Sequence, residues 1–333
     1  MNFNSVFSSN ATVFYCSIFN LVFCSFSSDL LILFKFYSSL LFKGGAFLIK
    51  VCISGLGRTG KEIAKSILNE KEIHLVSAIC SPNSKSLNKD LGQILGIDST
   101  GIILASSDNL EEIIFRNKPD VVIDFSNPKA ALKNAAMFSK YRVNIVIGTT
   151  GFSPYELKKI FVLSRKYKNG IVYAPNITLG VNVMMLLTNL SASLLSNYDF
   201  QITEVHHKKK LDSPSGTAKK IACEIQSGFK NIGVVTSNSD IPINSVRAGG
   251  VIGKHEVMIV GEEDKIEISH ESFSRKAFAQ GAVKATQFIH KKSGYYEMRD
   301  VLDLEKVLKT YIENNNRSKK QKKYSNNFDE EIG

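Results

Sequence analysis

Leu48-Ile49-Lys50-Val51-Cys52-Ile53-Ser54-Gly55-Leu56-Gly57-Arg58-Thr59-Gly60 decides the fold: an apolar, β-branched run feeds directly into glycines spaced Gly-x-Gly-x-x-Gly. Immediately afterwards Ile63, Ala64, Ile67 and Leu68 recur at helical spacing. The segment therefore reads as strand, tight turn, helix. Each glycine has a separate physical task. The first permits the turn, the second lets the backbone approach a pyrophosphate, and the third lets helix and strand pack closely. The free amides at the helix start then face an anion. Gly55, Leu56, Gly57, Arg58, Thr59 and Gly60 are accordingly candidate cofactor-binding residues, with Arg58 in reach of phosphate.

Working outward, the same alternation repeats. Strands are expected at His74 to Cys80, Asp120 to Phe125, Asn144 to Ile147 and Gly170 to Ala174, with helices at Pro128 to Lys140 and Pro154 to Lys168. Repeated strand–helix units imply an α/β protein with a Rossmann-type doubly wound parallel sheet. The pattern then changes. Gly180 to Ser196 reads as a long apolar helix, followed by longer strands at Phe200 to His207, Glu256 to Gly261 and Lys265 to Ser272, and a helix from Arg275 to His290. These predict a smaller α+β substrate and oligomerisation domain on an open mixed sheet. The expected division is 48–176 for the dinucleotide domain, completed by 287–313, and 177–286 for the substrate domain.

The carboxyl ends of the parallel strands carry further candidates. The second strand ends Cys80-Ser81-Pro82-Asn83-Ser84-Lys85, without the carboxylate that would bind an adenosine ribose 2'-hydroxyl. Cys80 and Ser81 stand at that cofactor position, and the polar run beside them can take a 2'-phosphate. This favours NADPH and leaves NADH open. Phe125 within Asp124-Phe125-Ser126-Asn127-Pro128, and Gly148, Thr149 and Thr150 within Gly148-Thr149-Thr150-Gly151-Phe152, fall where a nicotinamide would lie.

The densest chemistry is Glu204-Val205-His206-His207-Lys208-Lys209-Lys210-Leu211-Asp212-Ser213-Pro214-Ser215-Gly216-Thr217. Two imidazoles can exchange protons near neutral pH. The lysines supply positive charge, and Ser215-Gly216-Thr217 offers a helix start to an anion. Such a set suits a dianionic substrate that must also be protonated. Zinc is not expected, because no third ligand stands at useful spacing from the histidines.

Composition bounds the rest. With 333 residues, 44% hydrophobic and 22% charged, the chain can build two medium domains. The net charge of +11 includes +2 from the tail and +1 from the first 48 residues, and the remaining +8 or so is scattered. No aromatic-interleaved basic stripe accompanies it, so nucleic acid is not an expected partner. Cys16, Cys24, Cys52, Cys80 and Cys223 form no CxxC pair, which argues against a disulfide framework and for a reducing, cytoplasmic compartment. Residues 1–47 are crowded with Phe, Ser, Leu and Tyr and hold three charges. They read as an extension outside the core, from a translation start assigned too early or a targeting segment. The second case would allow an organellar stroma or matrix. No membrane is expected for the folded part. The Asn- and Lys-rich tail, 314–333, is expected to be disordered.

Taken in order, Gly55 to Gly60, Gly148 to Phe152, Ala174-Pro175-Asn176-Ile177-Thr178-Leu179-Gly180-Val181-Asn182, the His206 to Thr217 block, Val246-Arg247-Ala248-Gly249 with Gly253 and His255, and Ser274-Arg275 through Gly281-Ala282 resemble the 4-hydroxy-tetrahydrodipicolinate (dihydrodipicolinate) reductases. The resemblance covers roughly Ile49 to Glu305. It implies NAD(P)H-dependent reduction of a small cyclic imine dicarboxylate in lysine and diaminopimelate biosynthesis. It further implies His206 as acid/base residue and Lys210 as second proton donor. His207, Gly216 and Thr217, together with Ser215, would hold substrate carboxylate. Ala174, Pro175, Asn176 and Ile177 would join the cofactor contacts, and a homotetramer would form through the second domain's sheet. Two positions depart from the common pattern. The turn GLGRTG lacks a residue and a Met that many members carry, and Cys80-Ser81 replaces an acidic–basic pair.

Overall fold

The computed structural model describes residues 48–234, 241–304 and 306–314. The expectations for residues 1–47 and for the tail beyond 314 lie outside these.

The first strand, β1 (Ile49–Ser54), is followed by α1 (Arg58–Leu68) and β2 (Ile73–Cys80). After α2 (Leu91–Leu95), β3 (Ala105–Ser106) and α3 (Leu110–Asn117) come β4 (Val121–Asp124), α4 (Pro128–Lys140), β5 (Asn144–Ile147), α5 (Pro154–Tyr167) and β6 (Gly170–Tyr173). The strands, with β11 (Gly294–Tyr296), form one parallel sheet in the order β11-β6-β5-β4-β1-β2-β3. Because the strands are buried on both faces, alternate residues feed two cores. Val51, Ile53, Val121, Ile123 and Val146 pack towards α1, whereas Cys52, Val122, Ile145 and Ile147 pack towards α3, α4 and α5.

The second layer starts with α6 (Leu179–Leu194), β7 (Asp199–His206) and α7 (Gly216–Asn231). It adds β8 (Ile243–Arg247), β9 (Lys254–Val260) and β10 (Lys265–Glu271). The four strands form a mixed sheet, β10-β9-β7-β8, in which only β7 and β8 run parallel. Its inner face packs Phe200, Ile202, Val257 and Ile259 against Val181, Met184, Ile221 and Ile225 of α6 and α7. Gly228 allows close approach of the two helices, since a Cβ there would come within 2.3 Å of the Asn189 carbonyl oxygen. This is the α/β architecture expected from the sequence.

The helix α8 (Lys276–Ile289) lies against α1, and its Ala279, Ala282, Val283, Ala285 and Ile289 join the first core. Its position within 177–286 in sequence therefore does not make it part of the second core. Then come β11 on the edge of the first sheet and α9 (Met298–Val301), and residues 306–314 are helical, past Tyr311. Among the described residues no helix is long and apolar enough to cross a membrane.

Candidate active site

The sheet order reverses between β1 and β4, so the loops leaving their carboxyl ends diverge and form a crevice. Glycine makes this crevice possible. Gly55 has φ +89°, and a Cβ on it would sit 2.5 Å from the Phe125 carbonyl oxygen. A Cβ on Gly60 would sit 1.9 Å from the Gly55 carbonyl oxygen, so α1 can start this close to the turn only with glycine. Gly57 instead meets nothing within 4 Å. It lines a cavity of about 470 Å³ with Arg58, Thr59, Gly60, Phe125, Gly148, Thr149, Thr150 and His207. Ser126, Asn127, Pro128, Ile252, Arg275 and Phe278 complete the lining.

Asp124, 1% exposed, fixes the loops around this cavity. Its carboxylate accepts from the Ser126 amide (3.0 Å) and hydroxyl (2.6 Å), from Thr149 Oγ1 (3.0 Å) and from Asn134 Nδ2 (2.8 Å). The Phe125 ring lies over Gly148, where a Cβ would fall 2.0 Å from Phe125 Cζ. Thus an aromatic ring and two loops are held where a nicotinamide would lie. The chain fits a dinucleotide on its own geometry. The turn is open at Gly57, α1 carries no acidic side chain in its first turn, and the Nδ1 of His207 is buried without a protein partner.

The second half of the site is a polar end to the inner face of the mixed sheet. Along β7, Phe200, Ile202, Glu204 and His206 are the buried set. Cross-strand register places Ser245 beside Glu204, Arg247 beside His206, His255 beside Glu204, and His270 beside His255. Glu204 is fully buried, and its Oε1 accepts from Arg247 Nη2 (2.7 Å) and the Ser215 amide (3.2 Å). Its Oε2 meets His206 Nδ1. Burial alone would raise the Glu204 carboxyl, but the bond from Arg247, the nearby Ser245 hydroxyl, the His206 ring and the Ser215 amide hold it at about 2. Burial pushes the His206 imidazole below its ordinary value, Glu204 opposes this, and Lys210 and Arg247 add to the downward push.

Glu204, His206 and His255 bring ligand-type atoms within 4.8 Å of one another. Strand alternation puts Glu204 on the same face as His206, and cross-strand register adds His255. The carboxylate, however, is already bonded to a guanidinium, an amide and an imidazole. Arg247 beside it repels a cation, so the cluster is a hydrogen-bonded network.

The remaining candidates fall in three places. Lys210 Nζ donates to both oxygens of Asp212, at 2.7 and 3.0 Å. Ser215 Oγ accepts from the Ala218 amide (3.1 Å) as the N-cap of α7 and stands 3.3 Å from His255 Nε2. Gly216 is exposed beside it, and Thr217 Oγ1 donates to Asn176 Oδ1 (2.6 Å). Ala174 and Ile177 are buried, while Pro175 and Asn176 line a different cavity of about 490 Å³ with Glu224 and Arg299. Cys80 is buried with its thiol towards the Ala105 carbonyl (3.7 Å), and burial raises that thiol. Neither Cys80 nor Ser81 lines the 470 Å³ cavity.

A doubly wound sheet with an open glycine turn, facing a buried imidazole–carboxylate network on a second sheet, defines a Rossmann-type, NAD(P)H-dependent oxidoreductase. Comparison with known proteins makes this particular. Residues 49–177 match the family model described as dihydrodipicolinate reductase, N-terminus, and residues 180–302 match the one described as dihydrodipicolinate reductase, C-terminus. The chain belongs to the dihydrodipicolinate reductase family.

Among its relatives, the 4-hydroxy-tetrahydrodipicolinate reductase of Methanopyrus kandleri is 38% identical over 76% of this chain and 95% of its own. That of Buchnera aphidicola is 36% identical over 77% and 98%. A solved dipicolinate-bound dihydrodipicolinate reductase from Paenisporosarcina sp. TG-14 superposes with a TM-score of 0.62 at 28% identity, covering 75% of this chain and 97% of that one. An amine dehydrogenase from Mycobacterium smegmatis shares the fold at 14% identity and TM-score 0.54.

Proposed function

We propose that this chain reduces the cyclic imine dicarboxylate derived from 4-hydroxy-tetrahydrodipicolinate to tetrahydrodipicolinate, with His206 and Lys210 as proton donors. The family's activity belongs to lysine and diaminopimelate biosynthesis. The observation that carries the proposal is a single cavity lined both by the Gly57–Gly60 turn and by His207, the neighbour of His206.

Gly55, Leu56, Gly57, Arg58, Thr59 and Gly60 would hold the pyrophosphate, with Phe125, Gly148, Thr149 and Thr150 around the nicotinamide. Bound there, the dinucleotide supplies the hydride. The chain's own residues manage charge and protons. Gly216, Thr217, Ser215 and His207 would meet a substrate carboxylate at the start of α7, where backbone amides favour an anion. Reduction takes up one proton with the hydride; His206, from its Nε2 side, and Lys210, released from Asp212, are its donors. Without a carboxylate after β2, NADPH is favoured and NADH remains usable. Assembly is a homotetramer through the mixed sheet.

Coupling the upstream synthase reaction to this protein and following loss of absorbance from NADH and NADPH separately tests the reading. Oxidation of at least one is expected, and oxidation of neither defeats it. Dipicolinate, the ligand of the Paenisporosarcina relative, should compete with substrate.

A further inference from the structure

We propose that Glu204, clamped by Arg247, is a positioning residue that holds His206 as the Nδ1–H tautomer and aims its Nε2 at the reacting ring. This rests on the reading of His206 as the acid.

A buried carboxylate is stable only when its lone pairs are met by donors. Oε1 of Glu204 is satisfied by Arg247 and the Ser215 amide. Oε2 faces His206 Nδ1. An ionised carboxylate only accepts, so the imidazole must donate there, and Nδ1 carries hydrogen whether the ring is neutral or protonated. The proton that comes and goes is then the one on Nε2. Glycine at 253 keeps a side chain away from that atom, since a Cβ there would come to 3.0 Å from it. His255 packs edge-on against the ring, with centroids 5.1 Å apart.

The charges facing His206 divide unevenly. Lys210 from the loop beyond β7 and Arg247 from β8 both disfavour a protonated ring, as does burial. His255 on β9 and His270 beyond it on β10 are held neutral by burial. Glu204 alone favours the imidazolium. It therefore orients the acid and opposes the downward push that burial, Lys210 and Arg247 exert on the ring. Arg247 prevents Glu204 from turning away, because it bonds the opposite oxygen and also donates to the Asp212 carbonyl at 2.7 Å.

The test combines kinetics with a measurement on the wild-type protein. In Glu204→Gln the alkaline limb of kcat/KM should move down by about one pH unit or more. Turnover should fall roughly 10- to 100-fold while KM for the dinucleotide is unchanged. Selective ¹⁵N-histidine NMR of the unmodified protein should show the Nδ1–H form at His206. An Nε2–H ring, or a folded Glu204→Gln with wild-type turnover and an unmoved limb, overturns the inference. If Glu204→Gln does not fold, the wild-type spectrum alone decides. His206→Gln separates the two readings. Wild-type turnover in that variant removes the acid assignment itself, whereas an impaired His206→Gln beside a normal Glu204→Gln removes only the role of Glu204.

Discussion

His255 shows how burial at one residue sets the behaviour of the protein in acid. Desolvation, with His206 beside it, pushes this imidazole down to about 3 from an ordinary 6.5. Above pH 6.5 the ring is neutral folded or unfolded and contributes nothing. As pH falls, the unfolded chain gains a proton that the folded one refuses, so stability is lost between 6.5 and 3, at up to about 1.4 kcal/mol per pH unit. Glu204 acts in the same direction lower down. Its depressed carboxyl stabilises fully above 4.5, and that contribution is lost as pH falls towards 2. Thermal melts at pH 7.5 and 5.0 should show a decline that His255→Gln flattens, and an equal decline in both proteins would contradict this. At the same scale, His206→Gln should cut turnover by about 10²- to 10⁴-fold, and Lys210→Ala comparably, in the coupled assay. His206, His207 and Lys210 stand out as candidates because they fall close together in sequence. Glu204 was visible but had no assignable role, since its partner Arg247 lies 43 residues away and only strand register joins them.

At the scale of elements, the turn between β1 and α1 is the least tolerant part of the fold. Gly60→Ala should force α1 away from the Gly55 carbonyl, with a loss of about 1–3 kcal/mol and a raised KM for the dinucleotide. Unchanged melting and KM would show that the helix can shift freely. A contrasting case is the capping box of α5, in which Ser153 accepts from the Glu156 amide and the Glu156 carboxylate accepts from Ser153. Ser153→Ala should cost about 1 kcal/mol in denaturant titration and leave kcat/KM unaltered. The parallel strands and α4 and α5 were readable because apolar runs, proline at the helix start and glycine turns agree. The elements that escaped are short or lack a one-sided pattern. β8 exposes every second residue and buries none fully, β11 has three residues, and α3 spans only eight. The edge strands owe their pairing to neighbours, which sequence periodicity does not carry.

For the whole molecule, the mixed sheet is covered on one face and open on the other. The inner face carries the second core and, at its end, Glu204, His206 and His255. Register puts Gln201, Thr203 and Val205 of β7, Val246 of β8, and Met258 and Val260 of β9 together on the opposite face. Val246 and Val260 are each 37% exposed, and Met258 is half-buried. Val205, Val246, Met258 and Val260 are the apolar residues of this face, and β10 adds Lys265, Glu267, Ser269 and Glu271, with Lys254 paired to Glu256 and Lys265 to Glu267; the homotetramer proposed above would use this face. In that proposed assembly light scattering should return the mass of four chains. Val246→Lys combined with Met258→Lys should lower it, because burying two unpaired ammonium groups in a self-complementary interface is costly. Dinucleotide affinity should survive in the disassembled variant, since the proposed cofactor contacts at Gly55 to Gly60, Phe125 and Gly148 to Thr150 are carried by the parallel sheet and not by this face. A wild-type monomer would refute the assembly, and loss of dinucleotide binding on dissociation would mean that a neighbouring copy shapes the cavity.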